Sequence, residues 1–371
     1  MTQMTDDIRA ALDAITLPDG QSLGASDRLS GVNVTGGRIS LAICIEPHEA
    51  QDFAALRRAV EQRLQALPGI SSVFVVLTSD RDPAQAAPPR LTPAAPKPSG
   101  KPDPLAGIGH VIAVASGKGG VGKSTTTVNL ALALRALGLK VGILDADIYG
   151  PSLPTLLGLH GKPALAEGRR LKPMQAYGLS AMSMGLLVAP EAAMVWRGPM
   201  IMSAITQMMA DVEWGALDVL LVDMPPGTGD AQLALAQGTT LAGAVIVSTP
   251  QDLSLIDARR GITMFRKVDV PILGLIENMA HFICPDCGSS HAIFGDGGAR
   301  REAARLGVPF LGAVPLTMDL RAASDAGQPL VARAPDGPLG QIYQQMARAL
   351  MDALSTYHQH PPSTQMTGDP Q

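Results

Sequence analysis

A glycine-rich segment near residue 120 has the residue types and spacing of a phosphate-binding loop. Its residues satisfy the pattern G-x-x-x-x-G-K-[ST] and are Gly117, Lys118, Gly119, Gly120, Val121, Gly122, Lys123, Ser124 and Thr125. Glycines let backbone N–H groups turn towards phosphate oxygens, and a following helix adds positive partial charge at its N-terminus. We expect Lys123 to neutralise the β- and γ-phosphates of ATP and the Ser124 hydroxyl to bind Mg²⁺.

Acidic residues end two of the apolar stretches that are typical of buried strands. Asp223 closes the stretch 219–223, and Asp145 and Asp147 close the stretch 141–147. Carboxylates at the carboxyl ends of parallel strands face the crevice in which ligands bind. The sequence therefore predicts that Asp223 orients Mg²⁺ through water and that Asp145 and Asp147 lie beside the phosphates.

A pair of cysteines forms a second candidate site. Cys284 and Cys287 have C-x-x-C spacing, and His281 and His291 flank them. A thioredoxin-like redox pair is disfavoured, because a proline inside the pair and a glycine after it oppose the required helix. Zinc could take both cysteines and both histidines. A [4Fe-4S] cluster needs four thiolates, which two copies of the chain would supply by meeting at a two-fold axis. The zinc and cluster interpretations both stay open on residue chemistry.

A proline-rich stretch indicates how the chain is divided. Eight prolines lie between residues 82 and 105, with alanines and few apolar anchors, a composition typical of a semi-extended linker. We therefore predict a small domain over 1–80, a linker over 81–107, a larger domain over 108–357 and a flexible tail over 358–371.

Hydrophobic periodicity predicts a different architecture on each side of this linker. Before it, helical patterns at 6–15 and 50–67 and alternating patterns at 30–34, 38–45 and 72–77 predict a small α+β domain of order αββαβ. After it, short apolar stretches rich in β-branched residues lie at 110–116, 141–146, 218–224, 243–249 and 271–278. Strands buried on both faces have this composition. With helix-length segments between them, they predict an α/β fold with a doubly wound, mostly parallel sheet.

Composition excludes several classes of protein. The 371 residues carry a formal net charge of −4 and 46% of them are hydrophobic, which suits a buried core and excludes a disordered polyelectrolyte. The acidic balance argues against a nucleic-acid partner, and no stretch is apolar enough to predict a membrane partner or span. Three cysteines and an acidic opening segment without signal-peptide features predict a reducing, cytoplasmic location.

The second lysine of the phosphate loop, Lys118, gives the segment 117–125 a resemblance to the deviant Walker A ATPases, a group that includes MinD, ParA, ArsA and the nitrogenase iron protein. The resemblance implies a homodimer that encloses nucleotide between its subunits, with Lys118 reaching the partner's phosphates. It also implies that Asp147 positions the attacking water and that Asn278 contacts adenine.

Longer motifs narrow the resemblance. The segments DADIYGPS (145–152), VWRGPM (195–200), DMPPGTGD (223–230), QDLSLIDARRGITMF (251–265) and IENMAHFICPDCG (276–288) together resemble the Mrp/ApbC family of iron–sulfur cluster carriers. The first 80 residues resemble the small domain of iron–sulfur assembly proteins. That domain commonly carries a cysteine after its second strand, where this chain has Glu46, Pro47 and His48, so Cys44 is assigned no cluster role.

These resemblances imply an ATPase that binds a [4Fe-4S] cluster at Cys284 and Cys287 of a homodimer and transfers it to apo-proteins. ATP binding would close the dimer and hydrolysis would relax it, changing the geometry of the cysteine loop. Two alternatives remain: a positioning or partitioning ATPase of the MinD/ParA kind, and a zinc-stabilised regulatory ATPase without a cluster.

Overall fold

A computed structural model of the chain describes residues 2–17, 20–26, 28–35, 38–45, 50–68, 70, 72–78, 105, 107–166, 170–187 and 198–359. These residues belong to two compact units, the first formed by 1–106 with 185–211 and the second by 107–184 with 212–371. Most of the predicted linker, and the predicted tail from residue 360, lie outside the described residues.

The described helices and strands, in chain order, are α1 (Thr2–Asp13), β1 (Leu29–Thr35), β2 (Arg38–Cys44), α2 (Ala50–Gln65), β3 (Ser72–Thr78), β4 (Ile108–Ala115), α3 (Lys123–Ala136), β5 (Val141–Asp145), α4 (Leu153–Leu156), β6 (Met174–Ala176), β7 (Leu179–Ser183), α5 (Gly198–Asp211), β8 (Leu217–Asp223), α6 (Asp230–Gly238), β9 (Gly243–Ser248), α7 (Asp252–Lys267), β10 (Ile272–Ile283), β11 (Ser290–His291), α8 (Gly298–Leu306), β12 (Phe310–Leu316), α9 (Met318–Asp325), α10 (Leu330–Arg333) and α11 (Pro338–Gln359). No helix among them is long and apolar enough to cross a bilayer.

The first unit is built on a three-stranded sheet of order β1-β2-β3, in which β1 and β2 are antiparallel and β2 and β3 parallel. Alternate residues of β2, namely Ile39, Leu41 and Ile43, are buried in one apolar cluster with Phe53 and Leu64 of α2. The elements follow the αββαβ order that the periodicity predicts.

Helix α5 groups with the first unit, although the sequence-based boundaries place residues 185–211 in the larger domain. It packs against β3, and its Met208 and Met209 are buried. An ion pair joins Arg57 Nη1 of α2 to Asp211 Oδ2 at 3.1 Å. The apolar face of a helix predicts that the helix will be buried, but the helix's partner is set by the tertiary structure.

The second unit contains a sheet with the strand order β11-β10-β9-β4-β8-β5-β7-β6, with β12 beside β10. Each neighbouring pair in the part β10-β9-β4-β8-β5-β7 of this order is parallel, and β12 also pairs in parallel with β10. At the two ends of the order, β6 pairs antiparallel with β7 and β11 pairs antiparallel with β10. Helices separate the parallel strands along the chain. This confirms the predicted α/β class with a mostly parallel sheet.

Strand register brings the chemistry to one edge of this sheet. Val114 of β4 and Asp145 of β5 both pair with Asp223 of β8. The loop that follows β4 therefore emerges beside both carboxylates, at the carboxyl ends of parallel strands where ligands bind in α/β proteins.

Close packing between β10 and β12 generates a testable prediction. A Cβ added at Gly274 would lie closer than 3.0 Å to three side-chain carbons of Leu311, which is buried. We expect Gly274→Ala to lower the free energy of unfolding by about 1–3 kcal/mol through overpacking. Urea denaturation followed by circular dichroism measures this change.

Gly238→Ala is the matched control, because an added methyl group at this position of α6 meets nothing within 4 Å. It should leave stability unchanged or raise it by up to about 1 kcal/mol. Equal losses from the two substitutions would contradict the packing argument.

Candidate functional site

The phosphate loop connects the buried strand β4 to helix α3, which begins at Lys123. Gly120 and Gly122 have φ values of 79° and 77°, in the left-handed region that favours glycine. The loop lines a cavity of about 280 Å³ whose other walls include Asp147, Gly150 and Ser152. The structure thus brings the predicted loop residues and Asp147 around one space.

A buried ion pair lies at the base of this loop. Lys123 Nζ is 2.7 Å from Asp223 Oδ1, and the two side chains are 6% and 1% exposed. The Thr127 hydroxyl donates to the same carboxylate oxygen at 3.0 Å. The second oxygen, Asp223 Oδ2, is buried and has no hydrogen-bond partner in the described part of the chain. An acceptor left free in this way fits a water molecule of hydrated Mg²⁺, with the Ser124 hydroxyl at the loop as the second predicted ligand.

Asp145 is held by hydrogen bonds rather than left open to a ligand. Its Oδ2 accepts from the N–H groups of Ser152 and Leu153, both at 3.1 Å, and from the Ser183 hydroxyl at 3.0 Å. Burial and the charge of Asp223 raise the pKa of Asp145 to about 7, although these donors oppose the rise. Asp145 therefore fixes the segment that enters α4.

Asp147 lies two residues further on and is more accessible than Asp145. Its Oδ1 accepts from the Gly150 N–H at 3.2 Å, and burial raises its pKa. Because Asp147 lines the phosphate-loop cavity, it is the carboxylate of this pair that can meet a ligand.

Lys118 and Asn278 have partners within the chain. Lys118 Nζ donates to Gln251 Oε1 at 3.4 Å, and Asn278 Nδ2 donates to the backbone oxygen of Val121 at 2.8 Å. Asn278 is buried, so its side-chain N–H₂ supports the phosphate loop from behind. The roles implied for these two residues, towards a partner's phosphates and towards adenine, remain predictions.

The two cysteines lie in the turn of a hairpin between β10 and β11. Phe282 pairs with His291, and the Cys284 N–H donates to the Ser289 oxygen at 2.9 Å. Cys287 is exposed and Cys284 is half-buried. The hairpin therefore presents two thiols near the molecular surface of this unit.

Ser289 lies beside the more exposed thiol. Its hydroxyl lies 3.2 Å from Cys287 Sγ. Hydrogen bonds with the Ser289 hydroxyl, then with the Ser289 backbone and with Cys284, lower the pKa of Cys287. Thiolate is the form that binds metal, so this shift favours ligation.

The flanking histidines do not complete a metal site in one chain. Within the described residues, which include both cysteines, His281 and His291, no group of three or more His, Cys, Asp or Glu side chains could hold a metal ion. Each hairpin thus offers two thiols, half of what a four-thiolate cluster needs.

Several residues of this site were not predicted from the sequence. Thr127 follows Lys123 by one helical turn, so helical periodicity places the two side chains on the same face of α3. The contact of Thr127 with Asp223 could therefore have been predicted from the sequence. Ser183, Gln251 and Ser289 reach the site through the fold and carry no distinct local signal.

Two models of known protein families match this chain, one in each of its two predicted domains. A family model described as NUBPL iron-transfer P-loop NTPase matches residues 107–351. A second model, described as iron–sulfur cluster assembly protein, matches residues 5–76.

Named relatives and a solved structure agree with these matches. The chain is 52% identical over 258 residues to the iron–sulfur protein required for NADH dehydrogenase of Arabidopsis thaliana, covering 69% of this chain and 82% of that protein. It is 53% identical over 242 residues to the iron–sulfur cluster carrier protein of Escherichia coli K12, covering 65% and 66%. A nucleotide-binding protein from Archaeoglobus fulgidus, solved with ADP, is 44% identical, with a TM-score of 0.55 over 60% of this chain and 88% of that one.

The buried ion pair generates a prediction about stability without nucleotide. Replacing Lys123 by Met leaves Asp223 buried without a counter-charge, so we expect Lys123→Met to cost about 3–5 kcal/mol of unfolding free energy. The double variant Lys123→Met/Asp223→Asn should recover much of that loss. Urea denaturation of the nucleotide-free protein measures both changes.

The control for this cycle is an exposed ion pair, Arg321–Asp325, whose side chains are 72% and 68% exposed. Arg321→Met should cost less than about 1 kcal/mol. Strictly additive losses for Lys123→Met and Asp223→Asn would contradict the pairing.

Ser289 generates a prediction about thiol chemistry. Since its hydroxyl lowers the pKa of Cys287, Ser289→Ala should raise that pKa towards the ordinary thiol value. The thiolate fraction near neutral pH then falls, and alkylation by iodoacetamide slows. The pH profile of alkylation in metal-free protein measures the shift, and an unchanged profile would show that the hydrogen bond has no effect.

Proposed function

The chain belongs to the family of NUBPL iron-transfer P-loop NTPases, and on that premise we propose that it is an iron–sulfur cluster carrier that binds and hydrolyses ATP. The observation that carries this proposal is that a phosphate loop and an exposed two-thiol hairpin occur in one unit of the chain. The first is a nucleotide site, and the second is suited to hold a cluster as cargo.

The nucleotide site uses the residues around the loop cavity. Lys123 leaves Asp223 to neutralise the β- and γ-phosphates, and the loop N–H groups bind phosphate oxygens. Mg²⁺, held through Ser124 and Asp223, supplies charge neutralisation when it is bound. Asp147, on the cavity wall, positions the attacking water. Lys118 leaves its hydrogen bond with Gln251 and contacts the phosphates bound by a second subunit.

The number of thiols supports a homodimer. Two chains that place their hairpins at a common two-fold axis supply four thiolates to one [4Fe-4S] cluster. Because the cluster is cargo, an exposed position suits it: the thiolates of a recipient apo-protein can replace Cys284 and Cys287 one by one. This ligand exchange leaves the iron, sulfide and electron count of the cluster unchanged.

Nucleotide controls this exchange by favouring one dimer geometry. ATP closes the dimer around its phosphates, and hydrolysis relaxes it. Such control requires ATP to bind the two geometries with different affinity. The cytoplasmic location, and the absence of nucleic-acid and membrane partners, remain predictions from composition.

Anaerobic reconstitution tests the proposal. We expect protein incubated with iron and sulfide to take up about four of each per two chains and to show charge-transfer absorbance in the visible region. Cys284→Ala should abolish this absorbance, because each hairpin then lacks one of its two thiolates. Iron, sulfide and zinc analyses together with size-exclusion chromatography measure the outcome.

Cys44→Ala is the matched control, since Cys44 lies in β2 of the first unit and not in the hairpin. It should leave cluster uptake unchanged. Zinc without iron would make the chain a zinc-stabilised ATPase, and cluster uptake by Cys284→Ala would place the cargo elsewhere.

A further inference from the structure

Strand β10 runs from the core of its sheet to the cysteine hairpin without a break. It pairs with β9 as far as Glu277, which is opposite Ser248, and its last residues pair with β11. Six residue steps separate Asn278 from Cys284, which is at most about 20 Å along the chain. One strand therefore passes behind the phosphate loop and then becomes one arm of the hairpin.

Asn278 of this strand contacts the phosphate loop, and the next residue, Met279, lies close to it. Asn278 Nδ2 donates to the Val121 oxygen at 2.8 Å and lies in the space that a Cβ at Gly122 would occupy. The Met279 methyl carbon lies 3.8 Å from that same Cβ position. A side chain at position 122 would displace the Asn278 amide and would lie in van der Waals contact with the Met279 methyl group, so the loop and the strand fit together closely here.

The backbone of β10 bends at the same point. Met279 has φ +56°, in a region that L-residues with side chains seldom adopt. Between Asn278 and Phe282 the pairing with β12 shifts register, because four steps along β10 match two along β12. A left-handed residue interrupts the alternation of side chains, which is how neighbouring residues both face Gly122.

The strand is anchored on the core side of this bend. Glu277 is buried, and its Oε2 accepts from the Ala299 N–H at the start of α8 at 2.7 Å. Beyond the bend, His281, Phe282 and Ile283 are only partly buried. A displacement that begins at Asn278 therefore meets a fixed end towards the core and a freer end towards the cysteines.

We propose that Asn278 and Met279 are positioning residues that couple the phosphate loop to the cysteine hairpin. Phosphates drawn into the loop reorient its peptide groups, including the Val121 carbonyl, and the Asn278 amide follows that carbonyl. The bend at Met279 converts this shift into a change in the position of Cys284 and Cys287. This coupling rests on the proposed function in one respect only, namely that the hairpin carries a cluster as its cargo.

The test uses metal-free full-length protein in a Cys44→Ala background, so that only the hairpin thiols react. Iodoacetamide alkylation is followed at one fixed pH, with and without saturating Mg²⁺ and adenylyl-imidodiphosphate. We expect the nucleotide analogue to change the alkylation rate about fivefold or more. Hydrogen exchange of residues 280–291 should change in the same samples.

Two variants separate the coupling from nucleotide binding. Asn278→Ala removes the contact with Val121. Met279→Gly keeps that contact, but it removes the Met279 side chain and lets the backbone take other φ values at no steric cost, so the bend no longer transmits a fixed displacement. With saturation confirmed by titration, both should reduce the response to less than about twofold, whereas Gln344→Ala, whose amide bonds Pro335 in an exposed contact, should retain it. Because Met279→Gly leaves the Asn278 amide intact, its effect does not arise from a lost adenine contact.

Either of two results overturns the coupling: a wild-type hairpin that does not respond to the nucleotide analogue, or a full response in both variants at saturation. The wild-type measurement tests the coupling even if a variant does not fold. Failure of the proposed function has a different signature, because a hairpin that responds to nucleotide but takes up no iron and sulfide keeps the coupling and loses only the cargo.

Discussion

The buried pair of Lys123 and Asp223 is the interaction on which the nucleotide site depends. A lysine that is 6% exposed is stable as a cation only beside an opposite charge, and Asp223 supplies it at 2.7 Å. The pair joins the start of α3 to the end of β8, so it also holds the loop between them in shape. In the proposed function, entering phosphates replace one anion by another, so the ammonium group is never left without a counter-charge. The loop can therefore be formed before nucleotide binds.

The cost of burying a charge also explains how a second carboxylate, Asp145, is accommodated next to this pair. Asp145 and Asp223 are opposite each other on neighbouring strands, where two negative charges repel. Burial and the charge of Asp223 raise the pKa of Asp145 to about 7, while an N–H donor from the segment that enters α4 and the Ser183 hydroxyl oppose that rise. The two carboxylates thus have different tasks: Asp223 pairs with Lys123, and Asp145 shapes the segment that enters α4.

The sequence predicts those features of the fold and the site that depend on residues close together in the chain. The phosphate loop, the strand that ends at Asp223 and the αββαβ order could be predicted because glycine spacing and hydrophobic periodicity act over a few residues. Three features could not be predicted in this way: the grouping of α5 with the first unit, the hydrogen bond from Ser183 to Asp145, and the contact between Asn278 and Val121. The last of these joins residues 157 positions apart, and no periodicity extends that far. The short strands β6 and β11, of three and two residues, contain too few positions to show alternation.

A carrier must hold its cargo and release it, and two thiols per chain satisfy both demands better than four. A closed four-ligand site within one chain would bind a cluster by the fold of that chain alone, and release would require partial unfolding. Shared between two chains, the same four thiolates bind only while the chains face each other, so a modest change in dimer geometry weakens every bond to the cluster at once. In the proposed function, the lowering of the Cys287 pKa beside Ser289 favours cluster binding, and the exposure of that thiol allows a recipient's thiolate to approach. In the proposed function, the geometry of the dimer, rather than one hairpin alone, sets how firmly the cluster is retained.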